Sequence, residues 1–186
     1  LQARVVPLLS MGLSLFASIA RLLIVAIGAL GTLTFGFAFT GERPWWLASL
    51  AALDWFVVNL LNRVVDLKED TANSITGASF VARHRSAVLA LGSTVLAASL
   101  VVTAALAPLL LLPRVAFHAL GFAYNWPIFG RRIKERYFWK NTASATGFLL
   151  TCFALPLLAA ASTIMRSRAC SPRRCASSTP RRPVAS

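Results

Sequence analysis

Long uncharged runs, separated by short polar segments, dominate the pattern of the chain. Residues 22–41 carry no charge over 20 positions, and residues 87–113 and 141–165 are uncharged over 27 and 25. A helix of about 17–25 apolar residues crosses the hydrocarbon core of a bilayer, so each run is long enough. Residues 45–62 are apolar apart from Asp54 and open on Trp45 and Trp46, side chains suited to a membrane–water interface. Residues 109–126 form a weaker segment, broken by Pro113, Arg114 and His118. The long central stretch divides near Pro108, with Pro108 and Pro113 marking the turn. Proline removes a backbone donor and disfavours helix in the residue before it. The pattern predicts an all-α, polytopic transmembrane helix bundle of about five spans, without internal repeats.

Composition agrees with that class. Hydrophobic residues make up 57% of the 186 and charged residues 13%. A soluble domain carries about 25% charged residues. The net charge is +13, but six arginines and no acid lie in residues 166–186, which leaves +7 on the rest. Residues 63–85 hold Arg63, Lys68, Arg83 and Arg85, and residues 126–140 hold Arg131, Arg132, Lys134, Arg136 and Lys140. The segments on the other side hold only Arg43 and Arg114. With five spans both basic loops share one side, and the positive-inside rule places that side in the cytoplasm. Such clusters are topology signals, and no nucleic-acid-binding motif accompanies them. No signal peptide is evident, so the first run reads as a retained helix. Cys152, within an apolar run, reads as a small buried hydrophobe, and Cys170 and Cys175 have no zinc-site pattern. His84 and His118 are isolated and lack ligand spacing. Asp54 either faces a cavity or marks the outer membrane edge.

Two polar constellations carry candidate chemistry. Asn62, Asp66 and Asp70 follow one another at intervals of four at the end of the second span. That spacing stacks them on one narrow helical face. Two hard oxygen donors one turn apart suit Mg²⁺, which takes a couple of carboxylates and completes its shell with water and phosphate oxygens. A solvated helix end is the competing reading, and Lys68 and Glu69 have that character. After the fourth segment comes a loop with five cations, bounded by Tyr124, Pro127, Lys140 and Asn141. Carboxylates that hold a metal, facing cations that neutralise oxygens, are what a metal-bridged diphosphate requires. Plain membrane anchoring competes for each basic residue taken singly.

These motifs resemble those of the UbiA superfamily of intramembrane prenyltransferases. Asn62, Asp66 and Asp70 are similar to its first aspartate motif, with Arg63 where an Asp is usual. Tyr124 and Pro127, then Arg132, Lys134, Lys140 and Asn141, are similar to its second conserved loop. The resemblance covers residues 15–162. It implies a ring of nine transmembrane helices in a bacterial or archaeal cell membrane, of which about five are represented here. It also implies Mg²⁺ on Asp66, Asp70 and Asn62, holding the diphosphate of a polyprenyl donor. Asn62, Arg132, Lys134, Lys140 and Asn141 would bind the diphosphate, and Lys134 and Tyr124 would join the two aspartates in catalysis. The acceptor in such enzymes is small and often aromatic, and the bilayer houses the protein.

The chain departs from the pattern after Glu135, beyond which no acid occurs, so the second aspartate motif is missing. The expectation is a partial prenyltransferase domain over residues 1–164 and a basic, disordered tail over 165–186. The abrupt change to Arg, Pro, Ser and Ala fits a shifted reading frame in a GC-rich gene. A basic tail bound to anionic lipid is the alternative for that segment. For the whole chain the alternative is a non-catalytic membrane remnant or a small transporter-like bundle.

Overall fold

The computed structural model describes residues 18, 21–126 and 132–170, with side chains described up to Met165. Among these residues the chain is helical throughout and has no strand. In order come α1 (Leu22–Thr40), α2 (Trp45–Val65), α3 (Leu67–Ala72), α4 (Ala78–Arg83), α5 (Arg85–Leu106), a 3₁₀ turn (Pro108–Leu110) and α6 (Leu111–Asn125). A second 3₁₀ turn (Ile133–Glu135), α7 (Tyr137–Phe148), a π-helical turn (Leu149–Ala154) and α8 (Leu155–Cys170) follow.

Among the described residues four helices are long and apolar enough to cross a membrane: α1, α2, α5 and the continuous rod Tyr137–Met165. The fifth expected span, α6, has 15 residues. At 1.5 Å per residue it rises only about 22 Å, although the 3₁₀ turn feeds straight into it. Pro113 lies within the first turn of α6, not in the connection. There its missing N–H has no helical partner to lose. The turn before α6 is made by Ala107 and the 3₁₀ turn that opens on Pro108, without Pro113. Helix α8 runs to Cys170, past the expected boundary at Met165. Residues 171–186, Pro127 and Arg131 lie outside the described residues.

Helix α2 is the central element, buried along its length, while α1 and α5 expose large apolar side chains such as Leu23, Leu30, Leu91 and Val101. Small residues bring α1 onto α2. Gly28, Thr32 and Gly36 are its buried positions, spaced by four on one face. A methyl group at Gly28 would overlap the Trp55 indole, and one at Gly36 would overlap Pro44. Close backbone approach of this kind gives membrane helices the packing contacts that water otherwise drives.

The π turn has a local cause. Leu155 donates its N–H to the Leu150 carbonyl, and the next donor in that wider register belongs to Pro156, which has none. The Thr151 carbonyl so released accepts from Thr32 Oγ1 at 3.0 Å, which ties this rod to α1. Thr151 Oγ1 in turn accepts from the Trp55 indole N–H at 3.0 Å. At the Trp45 end of the bundle Leu47, Ala51, Leu110, Leu155 and Ala159 pack into an apolar core.

Midway along α2 lies a buried ionic cluster. Arg114 Nε donates to Asp54 Oδ2 at 2.9 Å, and its Nη2 donates to Asp54 Oδ1. The guanidinium also donates to the Ser99 carbonyl and to Thr103 Oγ1 on α5. His118 Nε2 lies 3.0 Å from Asp54 Oδ1, and since a carboxylate only accepts, the ring donates there. Asp54 and Arg114 are each 1% exposed. Arg114 is therefore no loop residue, and Asp54 neither faces a cavity nor marks the membrane edge. The cluster fastens α2 to α5 and α6.

Candidate functional site

The polar site forms where α2 ends. Asp66 breaks the helix, yet its N–H still bonds to the Asn62 carbonyl, and Asp70 N–H bonds to the Asp66 carbonyl. Asn62, Asp66 and Asp70 so remain stacked along the chain, but their side chains part company. Asp70 accepts from Arg63 Nη1 at 2.8 Å and is buried with it. Asp66 turns to the other side, where Lys134 Nζ donates to its Oδ1 at 2.6 Å and to Glu69 Oε2 at 2.6 Å. Arg132 Nη1 donates to Glu69 Oε1 at 2.6 Å and stands 3.6 Å from Asp66. The acid that joins Asp66 at this point is Glu69, not Asp70. Asp66 and Glu69, three positions apart, share Lys134, while Asp70 pairs with Arg63, seven positions before it. Asn62 Oδ1 accepts from Asn125 Nδ2.

The electrostatics follow from the pairing. The Lys134 hydrogen bond holds the Glu69 carboxyl below its ordinary range; partial burial opposes this, and the charges of Lys134 and Arg132 reinforce it. Burial pushes the Lys134 ammonium down, but bonds to Asp66 and Glu69 outweigh it and leave the group above its ordinary value.

A polar cavity of about 510 Å³ opens here, with Asp66, Glu69, Lys134, Lys140 and Arg21 in its wall. A second cavity of about 190 Å³ runs between α2, α6 and α7, walled by Trp55, Val58, Phe117 and Gly147. Arg21, Asn62 and Tyr124 line both, so the two cavities meet at a collar made by these three side chains. A charged compartment so adjoins an apolar one.

Of the residues singled out in the sequence, Asn62, Asp66, Tyr124, Lys134 and Lys140 line the polar cavity. Arg132 reaches it through Glu69. Asp70 is held away by Arg63, and Asn141 is exposed and lines neither cavity. Among the described residues no three His, Cys, Asp or Glu side chains converge as a metal-binding group. Sequence reasoning missed Arg21, Glu69, Asn125 and the Asp54–Arg114 cluster. Glu69 had a signal, because i and i+3 share a helical side with Asp66. The cluster had one too: two lone opposite charges inside apolar segments, which need a partner at membrane depth. Arg21 had none. It adopts a left-handed backbone at φ 47°, a sparsely populated conformation found preferentially at functional sites. No protein-family profile, curated protein or solved structure matches this chain.

Proposed function

We propose that the chain is a Mg²⁺-dependent intramembrane prenyltransferase of the UbiA type, acting on a polyprenyl diphosphate and a small acceptor. In this reading the five helical segments correspond to the first five of the family's nine. The observation that carries the proposal is the junction of a cationic cavity with a ring-lined apolar one, within a bundle of apolar helices. An amphiphile with an anionic head and a hydrocarbon tail matches both compartments. A soluble anion would leave the apolar one empty, and a neutral lipid would leave Lys140 and Arg21 in the cavity wall facing no anion.

The carboxylates fit a cation in one respect. Asp66 and Glu69 converge on a single ammonium, Lys134 Nζ, at 2.6 Å each, and that ammonium stands where a metal would be shared. Asp66 and Glu69 would hold Mg²⁺, and Asp70 would join them only on leaving Arg63. Bound there, Mg²⁺ would neutralise diphosphate oxygens and so make a better leaving group. Lys134, once released from Asp66 and Glu69, and Lys140 and Arg21 would take the rest of that charge. The allylic C–O bond breaks at the collar, and its electron pair leaves with the diphosphate. The faces of Trp55 and Phe117 favour the positive carbon that results. The acceptor supplies the electron pair of the new carbon–carbon bond and then loses a proton. The basic-loop end of the bundle is the cytoplasmic one.

The test is binding of a non-hydrolysable farnesyl diphosphonate to the full chain in detergent, with and without Mg²⁺. Binding should strengthen with Mg²⁺ and fall at least tenfold in Asp66→Ala/Glu69→Ala and in Lys134→Met. Unchanged binding in both variants sinks the site. A specific observation favours one rival: each carboxylate of the site already has a cationic partner. A non-catalytic amphiphile-binding bundle would bind the analogue without any response to Mg²⁺.

A further inference from the structure

The ionic cluster on α2 leaves one nitrogen unexplained. His118 spends Nε2 on Asp54, while its Nδ1 is buried with no hydrogen-bond partner among the described residues. The residue is 3% exposed. With Nε2 donating to a carboxylate, Nδ1 of the neutral ring is an acceptor. A buried acceptor left unsatisfied costs about 1–3 kcal/mol, so this nitrogen calls for a donor.

The helices leave a small void beside the ring. Asp54, Val58, Leu61 and Asn62 recur at helical spacing on α2, and His118, Gly121, Phe122 and Asn125 do so on α6. Where the two rows meet, Val58, Leu61, Asn62, His118, Gly121 and Phe122 border a void of about 10 Å³. One water needs about 10–15 Å³ and about two to four polar partners. His118 and Asn62 are the polar side chains of this wall. Asn62 uses its oxygen to accept from Asn125, which leaves its N–H groups to donate elsewhere. Gly121 keeps the space open, since a Cβ there would stand 3.1 Å from a Val58 methyl carbon.

We infer that this void is a hydration site, and that its water is the proton entry to the Asp54–His118–Arg114 cluster. The water donates to His118 Nδ1 and accepts from Asn62 Nδ2. Asn62 also lines both cavities, so the water sits behind the collar, one side chain from the polar cavity. A proton passed from the water to Nδ1 lets Nε2 give its own to Asp54 Oδ1, and the water recovers a proton from the cavity. The charged groups that face the ring are Asp54 on α2 and, through Asp54, Arg114 on α6. Helix α5 offers them only the Ser99 and Thr103 oxygens. Arg114 keeps its charge throughout, so the cluster passes from neutral to singly positive and back. The inference goes beyond the prenyl-transfer reading and needs neither Mg²⁺ nor diphosphate.

Histidine-selective NMR of the full chain in detergent tests this. The chain has two histidines, and His84 is exposed at the start of α5, so His84→Gln leaves His118 as the sole signal. The carbon-bound hydrogen between its ring nitrogens should show a cross-peak to water. The Nε2 proton should exchange with deuterated solvent while the bundle stays folded. Gly121→Ala should abolish the cross-peak and slow the exchange, with Nε2 still protonated and bonded to Asp54. If Gly121→Ala does not fold, Val58→Ile fills the void from α2 and carries the same expectation. Absence of the cross-peak in the His84→Gln chain overturns the inference, as does a cross-peak or an exchange rate unchanged in the filled variant. Loss of Mg²⁺-dependent diphosphonate binding with the cross-peak intact would defeat the prenyl-transfer reading and leave the hydration site standing.

Discussion

Single side chains divide into those that hold the bundle and those that line the polar cavity. The Asp54–Arg114 pair belongs to the first kind. Removing one partner of a buried pair strands a charge and costs about 3–5 kcal/mol, whereas an apolar pair of similar volume is near neutral. Arg114→Met should therefore lower resistance to unfolding in detergent by that amount, and Asp54→Leu added to it should restore most of the loss. A double variant as weak as the single one would mean that the cluster contributes more than charge neutrality. Glu69 and Lys134 give a pH signature. The folded Glu69 lies below its unfolded value, so its contribution is present above about pH 4.3 and fades as pH falls through the folded value. The folded Lys134 lies above its unfolded value, so its contribution is complete below about pH 10.4 and is lost as pH rises through the folded value. Unfolding curves of Glu69→Gln and wild type should converge in acid and separate at neutral pH. The separation should be small, because the Glu69 side chain is 53% exposed and solvent screens the pair.

At the scale of elements, the contact of α1 with α2 is the most sensitive to size. Overpacking a tight interface costs about 1–3 kcal/mol, and a Cβ at Gly28 would meet Trp55 well inside contact distance. Gly28→Ala should lower stability by that amount and shift Trp55 fluorescence, because the indole must leave Thr151. An unshifted spectrum would show that α1 yields instead. Elements were largely legible in the sequence wherever uncharged length decided them: α1, α2, α5 and the 137–165 rod coincide with the long runs within a few residues. Legibility failed where one residue answers to a distant partner. Pro113 reads as a breaker in isolation, but in the first helical turn its missing donor has no effect. Arg114 reads as a loop charge until Asp54, 60 positions away, absorbs it. For the site, spacing by four brought Asp66 and Lys134 into view, since periodicity and charge reveal them. Asp70 pairs with Arg63, seven positions before it, a spacing that also shares a helical face, so periodicity alone does not choose between a metal and this partner.

For the whole molecule, the arrangement of charge along the bundle makes one statement about the membrane. Helix α2 has 21 residues and rises about 31 Å, the thickness of a hydrocarbon core. Trp45 and Trp46 are exposed at one end, and Tyr137, Phe138 and Trp139 are exposed beside the other. Two aromatic belts at that separation are what an interface-anchored bundle presents. The Lys134–Asp66 bond brings the two basic loops to the same end. Withdrawal of Arg114 into the core leaves Arg43 as the one cation that was counted against them. The charge bias is therefore steeper than the sequence alone suggested, and under the positive-inside rule the proposed orientation turns the polar cavity toward the cytoplasm. Single cysteines at Ser79 and at Phe129, in a chain without its three native cysteines, should react with an impermeant maleimide only after cells are opened. A cysteine at Glu42, beside Arg43, should react in intact cells. Labelling of Ser79 or Phe129 without permeabilisation would invert the bundle and place the cavity, with its carboxylates and lysines, on the outer face, where a cytoplasmic diphosphate could not reach it.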